Sequence, residues 1–234
     1  LPFCNIWTAM QLSSRLPKGA LFHMGVSNTR RCWNMFQLPE SVESACNVGC
    51  CGIDGCVSTL VGASLVNPDR LCYVVVGDLT FFYDLNSLGN HHIGTNLRVM
   101  LVNNGRGTEF RLGIHHCNVF GDDADKYMAA AGHFGNKSPL LVKHYAEDLG
   151  FHYLSATTKE EFMTALSNFT NPQLSDHSMI LEVFTDSKDE SEALYLMSHI
   201  QSDAKGMVRS KLKDAVRNVA GEKGINAIKK ILKK

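Results

Sequence analysis

The sequence predicts an α/β fold, a doubly wound and mainly parallel sheet with helices on both faces. Three observations predict it. Two apolar runs, Leu71 to Val76 and Leu97 to Val102, read as strands buried on both faces. The segment between them is helix-like and long enough for a crossover. Strand-like and helix-like stretches then alternate along the rest of the chain, as in βαβ units.

Taken in order, Ala20 to Met24 reads as the first strand. Gly25-Val26-Ser27-Asn28 is its turn, and a helix begins near Thr29. Pro39 to Gly52 is rich in small and polar residues and reads as a loop. Cys56 to Leu65 reads as a helix whose small residues allow close packing on a sheet. Strand 71–76 is followed by a helix over 81–89, with Thr80 as its N-cap and Phe81, Phe82, Leu85 and Leu88 as one apolar face. Strand 97–102 follows. Residues 107–138 are Gly- and His-rich and read as a long functional loop with one short helix. Pro139 opens a helix to about Leu149, Phe151 to Leu154 is a short strand, and Lys159 to Phe169 is a helix. Met179 to Phe184 is the last strand, and a helix runs from about Glu190 to Ser198.

The chain has 234 residues, 44% hydrophobic and 20% charged, with zero formal net charge. That balance fits a soluble cytoplasmic domain and argues against nucleic acid as a partner of the whole chain. No apolar run reaches membrane-spanning length, so no membrane span is expected. The chain opens on Leu1-Pro2 rather than Met, as expected of a piece of a longer protein. Residues 1–200 form one expected domain and 201–234 a basic amphipathic helical tail. From Lys205 onward the tail carries ten Lys or Arg against Asp214 and Glu222. It reads either as an arm for an acidic partner or membrane, or as a solvated helix laying one apolar stripe on its own protein.

Eight cysteines are present, and Cys46, Cys50, Cys51 and Cys56 cluster upstream of His115-His116-Cys117. No pair has the spacing of a zinc knuckle, and a disulfide framework does not suit a chain of this size without a secretion signal. The cysteines read as reduced, mostly buried, small apolar side chains.

The chemistry is concentrated where the two apolar runs end. The first stops at Gly77-Asp78 and the second at Asn103-Asn104-Gly105. Parallel strands deliver both ends to one edge of the sheet, where open α/β sheets bind ligands. A carboxylate, an amide oxygen and a freed backbone carbonyl are the hard oxygen donors that Mg²⁺ takes when it also holds a substrate's phosphates. Gly-Asp at the end of one strand is common and purely structural in most proteins; the pair is what points to a site.

Gly77-Asp78, then 24 residues, then Asn103-Asn104 resembles the diphosphate-binding signature of thiamine-diphosphate-dependent enzymes. With Gly52-Ile53-Asp54-Gly55, Gly77 to Asn86 and Asn103 to Phe110, the chain is similar to the menaquinone-pathway succinyl-enolpyruvyl-hydroxycyclohexene-carboxylate synthases. The resemblance covers roughly Leu1 to Ile200 and implies the C-terminal, diphosphate-binding domain of such an enzyme. It implies thiamine diphosphate and Mg²⁺ as cofactors, the metal held by Asp78, Asn104 and the Arg106 carbonyl. Gly105 and Gly107 would keep that turn open. Gly77 and the N–H groups of Leu79 and Thr80, at a helix start, would face the diphosphate. Ile53 would be the wedge that bends the cofactor, or else a plain core residue, with Gly52 and Asp54 on the pyrimidine and Phe110 beside the thiazolium. Ser27 and Arg31 match positions that hold diphosphate or substrate carboxylate, and helical register decides between Arg31 and Arg30.

Two departures bear on the substrate. Val48 stands where the resembling enzymes carry a second substrate-binding Arg, and Glu109 replaces an apolar residue beside the aromatic. A neutral side chain cannot make a bidentate carboxylate pair, so both argue against a dicarboxylic 2-oxoacid. The glutamate that activates the cofactor belongs to a separate pyrimidine-binding domain or subunit. The expected function is therefore the cofactor domain of a 2-oxoacid decarboxylase or carboligase acting on a small 2-oxoacid, incomplete alone and a homo-oligomer when complete. The alternative is a non-catalytic relative serving as an assembly or regulatory module. A nucleotide-binding domain is disfavoured, because no glycine-Lys-Ser phosphate loop is present.

Overall fold

The computed structural model of the chain describes residues 1–49, 51–112, 115–127, 137–173 and 176–200. The basic tail, Cys50 and residues 128–136 of the Gly- and His-rich loop lie outside the described residues. Among the described residues, six strands make one all-parallel sheet: β1 (Leu21–Met24), β2 (Glu43–Cys46), β3 (Cys72–Gly77), β4 (Leu97–Asn103), β5 (His152–Ala156) and β6 (Met179–Phe184). Their order is β2-β1-β3-β4-β6-β5. The chain winds outward from β1 to β2, then crosses back to β3 on the other side. The crevice above the β1 and β3 carboxyl ends is the switch point of the sheet.

Helices α1 (Asn5–Leu12), α2 (Asn28–Trp33), α3 (Cys56–Val66), α4 (Asp78–Tyr83), α5 (Ala124–Tyr127), α6 (Leu141–Asp148), α7 (Lys159–Phe169) and α8 (Ser187–Ser198) surround it. The side-chain period of two divides the core into two layers. Tyr73, Val75, Met100 and Val102 face Trp7, Trp33, Phe162 and Phe169. Cys72, Val74, Val76, Val99 and Leu101 face Val57, Leu60, Phe81 and Val142. Burial on both faces is why β3 and β4 read as near-continuous apolar runs, with the buried Arg98 as the one charge inside β4, and it confirms the doubly wound fold. None of the helices in the described residues is long and apolar enough to cross a membrane.

Helix ends follow local chemistry where the capping residue is near in sequence. The Asp186 carboxylate accepts the N–H groups of Lys188 and Asp189, so α8 begins at Ser187, earlier than expected. Thr158 accepts the Glu161 N–H at the start of α7. The expected helix over 81–89 is corrected. It starts directly at Asp78, Gly77 is its N-cap and Thr80 lies inside the first turn. It breaks at Asp84, whose carboxylate accepts the Ser58 N–H at 2.6 Å and so ties this turn to α3. Leu85–Gly89 continues as a 3₁₀ helix. Pro139 precedes α6 rather than opening it, and β5 begins one residue later and ends two residues later than expected.

Two elements went unassigned in the sequence. The stretch 39–52, expected to be loop throughout, contains β2, an edge strand whose residues Glu43, Ser44 and Ala45 are exposed. Helix α1 has Cys4 at its N-cap, which makes no side-chain cap. Four cysteines, Cys4, Cys32, Cys56 and Cys72, are buried, whereas Cys46 and Cys117 are half-buried and Cys51 is exposed.

Candidate cofactor site

The switch point opens into a cavity of about 380 Å³. Gly25 lets β1 end there: a Cβ on it would meet the Val75 carbonyl oxygen at 3.2 Å, and its N–H donates to that oxygen at 2.7 Å. The next turn carries Ser27, a non-glycine residue at φ 66°. Such a conformation costs free energy and persists where the surroundings fix it. It sets the Ser27 hydroxyl on the cavity wall.

The β3 and β4 ends meet as expected of parallel neighbours, with Gly77 opposite Val102 in register. Asp78 is almost fully buried at 3% exposure. Its Oδ1 accepts the Leu79 N–H at 2.8 Å, and Oδ2 accepts the N–H groups of Asn104 at 3.2 Å and Gly105 at 2.7 Å. The carboxylate thus staples the loop after β4 onto the start of α4. Asn104 Oδ1 accepts the Arg106 N–H at 3.3 Å, and the Arg106 carbonyl accepts from Thr108. Gly105 turns at φ 82°, which only glycine adopts readily. Gly107, expected to need the same freedom, has φ −73°, which any residue adopts. The Leu79 N–H, expected to face a ligand, is taken by Asp78.

Ser27, Ile53, Gly77, Asp78, Leu79, Thr80, Asn104, Arg106, Gly107 and Phe110 all line this one cavity. Gly52 and Asp54 flank Ile53 in sequence without lining it. Arg30 and Arg31 both line it, as does Val48. Phe110 meets the His115 ring edge to face at 5.2 Å between centroids. The oxygens available at the β3 and β4 ends are a carboxylate, an amide oxygen and a backbone carbonyl, from Asp78, Asn104 and Arg106, three residues that line the one cavity. Their chemistry fits a hard cation with an anionic ligand, and the adjoining arginines fit the anion.

Sequence reasoning missed Asn5 and Glu190, which also line the cavity. Glu190 accepts the Asn5 N–H through both oxygens, at 2.9 and 3.0 Å, and the Thr185 hydroxyl at 2.6 Å. Asn5 Oδ1 accepts from the Trp33 indole at 2.9 Å. An acid in the first turn of a helix is ordinary, so no local signal marks Glu190. Burial pushes its carboxyl up to about 7, opposed by the Thr185 and Asn5 hydrogen bonds and helped by the charges of Asp78 and Asp189. The folded chain therefore keeps this proton at a pH where the unfolded chain has released it. The resulting stability is full below the ordinary carboxyl range and is lost as pH rises through about 7. Glu190→Gln is expected to flatten that part of the stability profile, measured by urea unfolding of the cofactor-free chain. An unchanged slope would contradict it.

Glu109 is the remaining charge. Its Oε2 accepts the Ser27 hydroxyl at 2.6 Å and forms an ion pair with Arg31 Nη1. Burial pushes its carboxyl up, but the hydrogen bonds from Arg31 and Ser27 and the charge of Arg31 outweigh that and hold it below the ordinary range.

No model of a known protein family matches the chain. Curated relatives do. A 2-succinyl-5-enolpyruvyl-6-hydroxy-3-cyclohexene-1-carboxylate synthase of Bacteroides fragilis is 33% identical over 194 residues, 83% of this chain and 33% of that protein. The synthase of the same name from Phocaeicola vulgatus is 34% identical over 197 residues, 83% of this chain and 33% of its own. That from Flavobacterium johnsoniae is 32% identical over 172 residues, 73% of this chain and 29% of its own. The chain spans about a third of the length of these relatives.

Proposed function

We propose a function from one premise: this chain is a homologue of the 2-succinyl-5-enolpyruvyl-6-hydroxy-3-cyclohexene-1-carboxylate synthases, matching about a third of their length. On our reading it is the C-terminal domain that binds the diphosphate of thiamine diphosphate through Mg²⁺, within an enzyme that decarboxylates a 2-oxoacid and joins the product to an acceptor. The observation that carries the reading is the joining of Asp78 and Asn104 at the switch point of the sheet. Asp78 and Asn104 also pin the loop after β4, and what supports a metal beyond that role is their place beside the arginines of one cavity.

Asp78, Asn104 and the Arg106 carbonyl would hold the metal. Ser27, Gly77, Thr80 and Gly107 would border the diphosphate, whose charge the metal neutralises in place of many cationic side chains. Ile53 would support the bent cofactor, with Gly52 and Asp54 reaching its pyrimidine and Phe110 beside its thiazolium. The bound cofactor supplies the electron sink that 2-oxoacid decarboxylation needs. This domain positions it, and a pyrimidine-binding domain or subunit, in a homo-oligomer, would supply the activating glutamate. Val48, neutral and on the cavity wall, favours a small 2-oxoacid over a dicarboxylic one.

Thermal unfolding tests the cofactor assignment. With MgCl₂ present, thiamine diphosphate is expected to raise the Tm, because a ligand bound only to the folded state stabilises it in proportion to its occupancy. Thiamine, which lacks the diphosphate, is expected to leave it unchanged. Equal shifts from both, or none from either, would overturn the assignment.

A further inference from the structure

We propose that Glu109 is a specificity residue: its carboxylate fills the anion subsite built by Ser27 and Arg31, so that Arg30 rather than Arg31 receives the acid group of the ligand. The inference rests on the 2-oxoacid reading above and narrows its substrate class to monocarboxylates.

Ser27 and Arg31 converge on one atom, Glu109 Oε2. The guanidinium has one further partner, since Arg31 Nη1 also donates to Asn28 Oδ1 at 3.2 Å. Ser27 reaches Glu109 from a backbone conformation that non-glycine residues rarely take. A corner able to bind a ligand carboxylate is thus occupied by the chain's own. Both side chains are partly exposed, 35% for Arg31 and 22% for Glu109, so the pair adds little to stability and faces the cavity. A ligand's second carboxylate placed here would have to expel Glu109 and leave that charge half-buried without its partners.

Arg30 is in the opposite situation. It lines the same cavity, and its Nε is buried with no hydrogen-bond partner. A buried guanidinium N–H without an acceptor is costly, and a ligand anion would satisfy it. Adjacent arginines on α2 therefore differ in role: Arg31 is neutralised from within and Arg30 is left for the ligand.

The test measures binding of two simple probes, glutarate and propionate, to the purified full chain by calorimetry or ligand-observed NMR. Glu109→Gln keeps the shape of the side chain and frees Arg31. It is expected to tighten glutarate binding about tenfold or more, the size of one charge-assisted pair, and to change propionate binding less than about twofold. Glu109→Gln with Arg31→Met is expected to remove the gain. Arg30→Met is expected to weaken propionate binding several-fold. Glu109→Ala repeats the glutarate arm should the Gln variant fold poorly by circular dichroism. No gain of glutarate binding, a gain that survives Arg31→Met, or propionate binding indifferent to Arg30 would overturn the proposal. The probes contain neither thiamine nor phosphate. A chain that shows the glutarate gain and yet fails the thiamine diphosphate test refutes the cofactor reading without touching the role of Glu109.

Discussion

Asp78→Ala is expected to weaken the binding of thiamine diphosphate with Mg²⁺ by on the order of a hundredfold, about 2.7 kcal/mol. Two losses add. The metal loses its only proposed carboxylate, and the loop after β4 loses its anchor, because Asp78 accepts the N–H groups of Leu79, Asn104 and Gly105. Those donors would be left without their acceptor at a site that is 3% exposed. Each buried unsatisfied group costs about 1–3 kcal/mol, so the variant is also expected to unfold at lower urea. Asn104→Ala separates the two effects. Its side chain accepts a single N–H, from Arg106, so it should cost little stability while still weakening the cofactor. Titration calorimetry on both variants checks this. Affinity unchanged in the folded Asn104 variant would remove that residue from the metal site.

The purified chain is expected not to release CO₂ from pyruvate or 2-oxoglutarate above the rate of free thiamine diphosphate. Two glutamates line the cavity among the described residues, and both are committed. Glu190 holds the start of α1 and the Thr185 hydroxyl, and Glu109 holds Ser27 and Arg31. Neither is placed to activate the cofactor, so turnover by the chain alone would mean that a glutamate within it, or in a second copy, does so. Joined to a pyrimidine-binding domain, the protein is expected to prefer a small 2-oxoacid. Losing one desolvated Arg–carboxylate pair costs a few kcal/mol, roughly a hundredfold in kcat/KM, and the neutral Val48 on the cavity wall offers no such pair. A panel of 2-oxoacids measures it. A best rate with 2-oxoglutarate would show that another residue supplies the second cation.

What could be read from the sequence follows how local each signal is. Strands β3 and β4 were legible because burial on both faces leaves a nearly continuous apolar run, interrupted only by the buried Arg98 in β4, with polar residues at its carboxyl end. That same ending gave Asp78 and Asn104. Helix α7 was legible to the residue, since its period and its Thr158 cap lie within one segment. Strand β2 was not, because an exposed edge strand of Glu43, Ser44, Ala45 and Cys46 has no alternation to see. Helix α1 was missed for a different reason. Its first N–H is capped by Glu190, 185 residues away, while Cys4 beside it offers nothing. The pairing of Glu109 with Ser27 and Arg31 likewise spans 82 and 78 residues. Sequence could mark Glu109 as out of place, but only the fold shows what its charge is for. The choice between Arg30 and Arg31 also needed the turn of α2, which puts both on the cavity and pairs only one.

The central claim is that metal and diphosphate bind here as a unit. The most direct measurement is titration calorimetry of the chain with thiamine diphosphate, first in millimolar Mg²⁺ and then with the metal removed by chelator. On this proposal the metal would neutralise a multiply charged diphosphate beside the buried Asp78 carboxylate, so its removal is expected to weaken binding at least tenfold, and Mg²⁺ alone is expected to bind more weakly than in the presence of the diphosphate. Equal affinity with and without Mg²⁺ would contradict the account.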